Sequence, residues 1–144
     1  MILPKFVETI TSDRELANLV IVYGVVLTFW TASVLYRELY DEEWDFLAKD
    51  VVGGCNGWCV GHFLHYTAMA YLSPTWWPLL VITGILFEFM ELALSKVSKY
   101  VEANPLADPI TNTLGVFTGL LLFQLRPHEI SLLGLGKWVS YFDR

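Results

Sequence analysis

The stretch WWPLLVITGILFEFMELAL, residues 76–94, is apolar over a membrane-spanning length but contains two acidic side chains. About 20 mostly apolar residues are needed for a helix to cross the hydrocarbon core of a bilayer. Glu88 and Glu91 project from one face of such a helix and repel each other. An ionised carboxylate near the bilayer midplane costs about 2.5–3.5 kcal/mol on insertion scales. We therefore expect a compensating partner: a bound cation, a shared proton or a basic group from another helix.

The whole chain has the composition of a membrane protein. Its 144 residues suffice for one domain, 55% of them are hydrophobic, and the mean hydropathy is +0.49. A net charge of −6 argues against nucleic-acid binding, which needs a basic face. Residues 1–7 contain one lysine and no long apolar core, so they do not predict a signal peptide. We expect one integral membrane domain, residues 1–144.

The spacing of the apolar blocks predicts an all-α, polytopic membrane helical bundle with about four transmembrane helices. The expected spans are residues 16–36, 58–72, 76–94 and 109–125. Residues 129–144 mix aromatic and aliphatic side chains with few charges, which favours a helix lying at the membrane interface. Gly115 and Gly119 have the small-xxx-small spacing that lets another helix approach closely.

The two cysteines, Cys55 and Cys59, are spaced i, i+4 beside the second apolar block. On a helix this spacing places both on one face. Two thiols without a further cysteine pair are usually packing residues, and we expect that role rather than a disulfide or a metal site.

Three consecutive predicted spans each contribute polar side chains that helical spacing could bring together: His62 and His65, Glu88 and Glu91, Asp108 and Asn112. Carboxylate and amide oxygens suit a hard divalent cation such as calcium or magnesium, which would offset the repulsion between the carboxylates. A histidine beside such a cluster is a candidate general base. A transition metal bound by the two histidines is less favoured, because the spans contain no further histidine.

Each of these residues also has an ordinary explanation. An intramembrane histidine is most often a hydrogen-bonded packing residue, and Glu91 is near enough to the end of its span to reach the surface. Asp108 before Pro109 is a common helix N-cap, and Asn112 could hydrogen-bond between helices. Their joint occurrence on three successive spans favours a shared polar site.

The order and spacing of these motifs resemble the core of the base-exchange phosphatidylserine synthases. The resemblance covers about residues 57–122 and rests on Gly61-His62-Phe63, on Phe87-Glu88-Phe89-Met90-Glu91, and on Asp108, Asn112, Gly115 and Gly119. The Asp-x-x-x-Asn-x-x-Gly pattern is also similar to that of VanZ-like membrane proteins.

The synthase resemblance implies an enzyme that exchanges a phospholipid head group for serine with the help of calcium. By position, His62 would be the base, and Glu88, Glu91, Asp108 and Asn112 would hold or surround the ion. His65 and Asn56 are further candidates for binding substrate.

Two other function classes remain open. A non-catalytic accessory subunit of a larger respiratory or photosynthetic membrane complex could keep the same fold, and the abundant aromatic residues favour either such partners or bound lipid. A small ion channel is the third class. A channel needs small polar residues along several spans, and the first span contains few, namely Asn18, Thr28, Thr31 and Ser33.

Overall fold

The computed structural model describes residues 13–41, 45–52, 55–101, 103–104, 106–127 and 129–134. Four α-helices make up most of this part of the chain: α1 Arg14–Tyr40, α2 Gly57–Leu72, α3 Trp77–Leu94 and α4 Ala107–Leu125. The all-α prediction is confirmed. Each predicted span lies within one of these helices, apart from the first residue of the third, because the uninterrupted apolar runs that defined the spans are also uninterrupted helices.

Two segments are long and apolar enough to cross a membrane, α1 and Pro74–Leu94, which joins a 3-10 turn to α3. The 16 residues of α2 extend roughly 24 Å at 1.5 Å per residue, which is less than the roughly 30 Å of a bilayer core. Helix length and composition therefore support two candidate membrane crossings, fewer than the four that the sequence predicts.

The connections between the helices differ in length, from residues 73–76 between α2 and α3 to residues 41–56 between α1 and α2. Between α1 and α2 the chain forms a 3-10 turn, Phe46–Ala48, and two antiparallel strands, β1 Asp50–Val52 and β2 Cys55–Asn56. In the segment predicted as an interfacial helix, the described residues form only a 3-10 turn, Leu132–Gly134, and residues 135–144 lie outside the described part of the chain.

Helices α2 and α4 pack closely because two glycines of α4 face the backbone of α2. A Cβ atom at Gly115 would lie 2.6 Å from the carbonyl oxygen of Phe63, and one at Gly119 would lie 2.3 Å from the carbonyl oxygen of Thr67. No side chain fits at such distances. The small-residue motif therefore sets the distance between the two helices.

The core beside this contact consists of the buried residues Leu19, Tyr66, Met69, Ala70, Leu80 and Val116. These side chains come from all four helices, so the core joins α1 and α3 to the α2–α4 pair.

Helix α1 is held to the rest of the protein at both ends. Near its start, the buried Asn18 donates to the carbonyl oxygens of Leu72 (3.3 Å) and Ile130 (2.8 Å) and accepts from the amide of Leu132 (2.7 Å). Near its end, Arg37 is buried and paired with Asp45. Buried hydrogen bonds and ion pairs of this kind fix the position of a helix.

A second set of hydrogen bonds links the end of α1 to the segment between α3 and α4. The Asp41 carboxylate accepts hydrogen bonds from the Lys99 ammonium group (2.6 Å) and the Tyr100 hydroxyl (2.5 Å). The bond from Lys99 has the largest effect, and the two bonds together lower the pKa of Asp41 below its ordinary value of 3.8. Ser98 also bonds to Glu38.

Large apolar side chains are exposed on the outer faces of the bundle. Phe29 on α1, Phe89 on α3 and Phe117 on α4 are each more than half exposed. Apolar surface of this extent normally contacts lipid or another protein.

Candidate metal and catalytic site

Four side chains from three helices meet at one end of the bundle. His62 comes from α2, Glu88 and Glu91 from α3, and Asp108 from α4, and one ligand atom from each lies within 4.8 Å of the others. The two glutamates are 3% and 4% exposed. The Oε2 atom of each is buried and has no hydrogen-bond partner among the described residues. A buried carboxylate oxygen without a partner is costly, and a cation bound among these groups would remove that cost.

Asn112 connects the histidine to the acidic cluster. Its Nδ2 donates to Glu88 Oε1 (3.4 Å), and its Oδ1 lies 2.9 Å from His62 Nδ1. An ionised carboxylate only accepts, so the amide nitrogen faces Glu88 and the amide oxygen faces His62. His62 Nδ1 then carries a proton that faces the amide oxygen, and in the neutral ring Nε2 is an acceptor. Both ends of the Asn112 amide are thus engaged, and this residue orients His62 and Glu88.

The ordinary explanations for Asp108 and Glu91 do not hold in this structure. Helix α4 begins at Ala107, whose amide donates to Asn104 Oδ1 (3.2 Å), so Asp108 lies within the first turn and is not the N-cap. Glu91 is buried rather than extended to the surface. Both carboxyl groups belong to the cluster.

A polar cavity of about 720 Å³ opens beside this cluster. The residues that line it include His62, Glu91 and Asp108 of the cluster together with Arg37 and Asn104. Ligand pockets in proteins commonly have volumes of about 300–1,000 Å³. The cavity is thus large enough for the polar part of a phospholipid together with a second small molecule.

A smaller apolar crevice of about 220 Å³ runs between α1 and α2. It shares the wall residues Trp30, Trp58 and His62 with the polar cavity, so the two spaces adjoin at these side chains. Its remaining walls are aromatic and aliphatic apart from His65, and include Tyr23, Val26, Leu27, Phe29, Leu47, Tyr66 and Phe87. A polar space joined to an apolar one fits a molecule with a polar head and an apolar tail.

The two residues predicted to bind substrate lie in different places. Asn56 lines the polar cavity and caps α2, because its Oδ1 accepts from the amide of Cys59 (3.0 Å). His65 lies one helical turn beyond His62 in the apolar crevice, where its ring packs against Tyr23 and Tyr66. The structure therefore separates His65 from the carboxylate cluster.

The prediction that the cysteines are packing residues is wrong, because Cys55 and Cys59 form a disulfide. The sequence reasoning considered the two cysteines at helical spacing, although the predicted second span begins only at residue 58. In the structure α2 begins at Gly57, and Cys55 lies in β2, where the chain turns into the helix. This turn places the two Cα atoms 5.4 Å apart, within the range for a disulfide. The disulfide forms part of the wall of the polar cavity.

Sequence reasoning missed the side chains that complete the cavity wall, namely Trp30, Arg37, Asp45, Trp58, Tyr100 and Thr111. Arg37 looked like one of several charges in a polar connection. Only its burial, which depends on how the connection folds, distinguishes it.

Comparisons with protein-family models, with curated proteins and with solved structures found no match for this chain.

Proposed function

We propose that this chain is a multi-pass membrane enzyme that exchanges the head group of a phospholipid, with calcium bound by Glu88, Glu91 and Asp108 and with His62 as the base. Location in a membrane is supported by two helices of spanning length and by the exposed apolar side chains of α1, α3 and α4. Helices α2 and α4 would complete a set of four membrane helices.

The observation that carries this proposal is the position of the carboxylate–histidine cluster where the polar cavity meets the apolar crevice. A phospholipid with a chain in the crevice would place its phosphate next to His62. The incoming alcohol would occupy the polar cavity. Both reactants would then contact the same histidine.

Exchange consists of one bond formed and one bond broken at phosphorus. The hydroxyl oxygen of the incoming alcohol bonds to the phosphorus atom, while the bond from phosphorus to the oxygen of the original head group breaks. His62 Nε2 accepts the proton of the incoming hydroxyl and returns it to the departing alkoxide, so no net proton or electron is consumed. Asn112 holds the ring in the required tautomer throughout.

The acidic residues hold the ion and position the phosphate. A bound divalent cation supplies charge neutralisation and orientation of the phosphate oxygens, which is the main requirement of phosphoryl transfer. The buried, unpartnered Oε2 atoms of Glu88 and Glu91 fit the role of ligands to such an ion.

The test is an exchange assay with the full chain purified in detergent. Labelled serine, calcium and phosphatidylcholine or phosphatidylethanolamine should give labelled phospholipid, and a chelator should stop the reaction. Glu88→Gln should lose activity. Glu38→Gln is the matched control, because Glu38 lies outside the cluster and lines neither cavity, and it should retain activity. Label incorporated equally with and without calcium would contradict the proposal.

The exposed apolar faces also fit a non-catalytic subunit of a larger membrane assembly. That alternative predicts recovery of the chain in a stoichiometric complex after mild solubilisation, together with no exchange by the isolated chain. These two results would replace the enzymatic proposal.

A further inference from the structure

The disulfide between Cys55 and Cys59 borders the same cavity as the acidic cluster. The two cysteines line this polar cavity together with His62, Glu91 and Asp108. Cys59 also precedes His62 by three residues on α2, which is nearly one helical turn. The compartment into which the cavity opens is therefore the compartment to which the disulfide is exposed.

Contacts between the elements show which helix ends lie beside this disulfide. Arg37, near the end of α1, donates to the carbonyl oxygen of Tyr100 in the connection between α3 and α4 (3.3 Å). The Sγ atom of Cys59 lies 3.8 Å from the hydroxyl oxygen of Thr111, near the start of α4. The end of α1, the start of α2 and the connection between α3 and α4 thus lie together, and we call this the disulfide end of the bundle.

The remaining helix ends lie together at the opposite end. Near the start of α1, Glu15 accepts from the amide of Thr75, in the connection between α2 and α3 (2.9 Å), and Asn18 donates to the carbonyl oxygen of Ile130, after α4 (2.8 Å). The 27 residues of α1 extend roughly 40 Å, more than the roughly 30 Å of a bilayer core. If α1 crosses the membrane, the two ends of the bundle are on opposite sides of it.

The disulfide indicates which compartment the disulfide end faces. Disulfides form and persist in the periplasm, the endoplasmic reticulum lumen and the extracellular space, and are rare where glutathione and thioredoxin keep thiols reduced. Cys55 and Cys59 are both partly exposed, and they border a cavity large enough to admit a small thiol. Cytosolic thiols would therefore reduce this bond if the cavity opened to the cytosol.

The basic side chains do not decide the orientation. Cytoplasmic segments of membrane proteins normally carry an excess of lysine and arginine. Here four of these residues belong to the disulfide end and five lie at the start of α1, before it or after α4: Arg37, Lys49, Lys96 and Lys99 against Lys5, Arg14, Arg126, Lys137 and Arg144. A difference of one charge is too small to oppose the disulfide.

The acidic cluster lies close to the disulfide end and not at the middle of the helices. Asp108 is the second residue of α4, Glu91 lies three residues before the end of α3, and His62 is the sixth residue of α2. At 1.5 Å per residue, these positions are within roughly 8 Å of the helix ends. In a bilayer core roughly 30 Å thick, such a depth is near the phosphate groups of one leaflet only.

We infer that the acidic cluster and its polar cavity face the oxidising side of the membrane. The divalent cation and the incoming alcohol then enter from the oxidising compartment, and the phospholipid comes from the leaflet on that side. The orientation rests on the proposed membrane location, and its consequence for the reactants rests on the proposed function.

The test places one cysteine at each end of the bundle in the full chain, produced in a bacterial host. Both native cysteines are replaced by serine, and Val97→Cys, at the disulfide end, or Arg126→Cys, at the opposite end, is added; both positions are exposed. Spheroplasts of the host present the oxidising, periplasmic face outward. A membrane-impermeant maleimide should label Val97→Cys and leave Arg126→Cys unlabelled, and after lysis both should be labelled.

Unlabelled cytosolic thiol proteins provide the control that the spheroplasts are sealed. Labelling of Arg126→Cys alone, or equal labelling of the two variants before lysis, would overturn the inference.

The wild-type chain gives a second measurement that needs no substitution. In sealed spheroplasts Cys55 and Cys59 should resist the maleimide until a membrane-impermeant reductant is added, and both should then be labelled. Thiols that react without the reductant would overturn the inference. So would a disulfide that the impermeant reductant opens only after lysis.

These measurements are independent of catalysis, so their failure is distinguishable from failure of the proposed function. Exchange by the detergent-solubilised chain, combined with labelling of Arg126→Cys alone, would leave the function standing and overturn the orientation. The expected labelling without any exchange would support the orientation and overturn the function. Where exchange occurs, an impermeant calcium chelator outside the spheroplasts should abolish it, and undiminished exchange would overturn the inference.

Discussion

Replacing Gly119 by alanine should separate α4 from α2. The new Cβ atom would lie 2.3 Å from the carbonyl oxygen of Thr67 and 2.8 Å from the Cβ atom of Ala70. Ordinary contact begins near 3.4 Å, so the helices must move apart locally by roughly 1 Å, the difference between 3.4 and 2.3 Å. Overpacking of this kind typically costs about 1–3 kcal/mol.

Gly24 provides the matched control, because a Cβ atom there would have no neighbour within 4 Å. Gly24→Ala should be about 0.5–1 kcal/mol more stable than the wild type, since alanine favours the helix. Because both variants gain the same helix preference, Gly119→Ala should be about 1–3 kcal/mol less stable than Gly24→Ala, which is the overpacking cost alone.

Reversible unfolding in mixed detergent micelles, followed by tryptophan fluorescence, measures this difference. Calcium binding provides a second measurement, because Asn112 precedes Gly119 by two helical turns and contacts His62 across the same helix pair. Equal stability of the two alanine variants would refute the close contact between α2 and α4 and the positioning of Asn112 that depends on it.

Three further predictions concern the site and its surroundings. Glu91→Gln should weaken calcium binding at least about tenfold, because it removes one anionic ligand, and isothermal titration measures this loss. Gly61→Phe should raise the KM for phospholipid several-fold without unfolding the protein, since Gly61 lines the apolar crevice and has open space around it; Gly24→Phe, away from both cavities, should leave the KM unchanged. Because Lys99 lowers the pKa of Asp41, the contribution of this pair is present above pH 3.8 and is lost as the pH falls below that value. Asp41→Asn should remove this part of the acid dependence of the melting temperature, and an unchanged profile would contradict it.

The helices were predictable because each is encoded locally. Uninterrupted apolar runs bounded by polar and glycine-rich stretches located all four to within a few residues, as in the predicted span 16–36 and the observed α1. The meeting of His62, Glu88 and Asp108 was expected from helical spacing and from the cost of isolated charges in an apolar segment. Their roles as base and ligands stay predictions.

The parts that sequence reasoning missed depend on how the connections fold. Arg37 pairs with Asp45 only because the chain reverses after α1, and nothing in the local pattern indicates burial of either residue. The disulfide arises because α2 begins at Gly57, so Cys55 is not helical. Helix periodicity cannot describe a contact made by an irregular segment.

Helix α1 is held in place at Asn18 and at Arg37, and the apolar crevice lies along the part of α1 between these two residues. This arrangement limits the width of any lipid tail that enters the crevice. A helix anchored at both ends can bow outward slightly, but it cannot swing away from its neighbour. The crevice can therefore open only as far as the middle of α1 bows, which favours a narrow tail over a broad one.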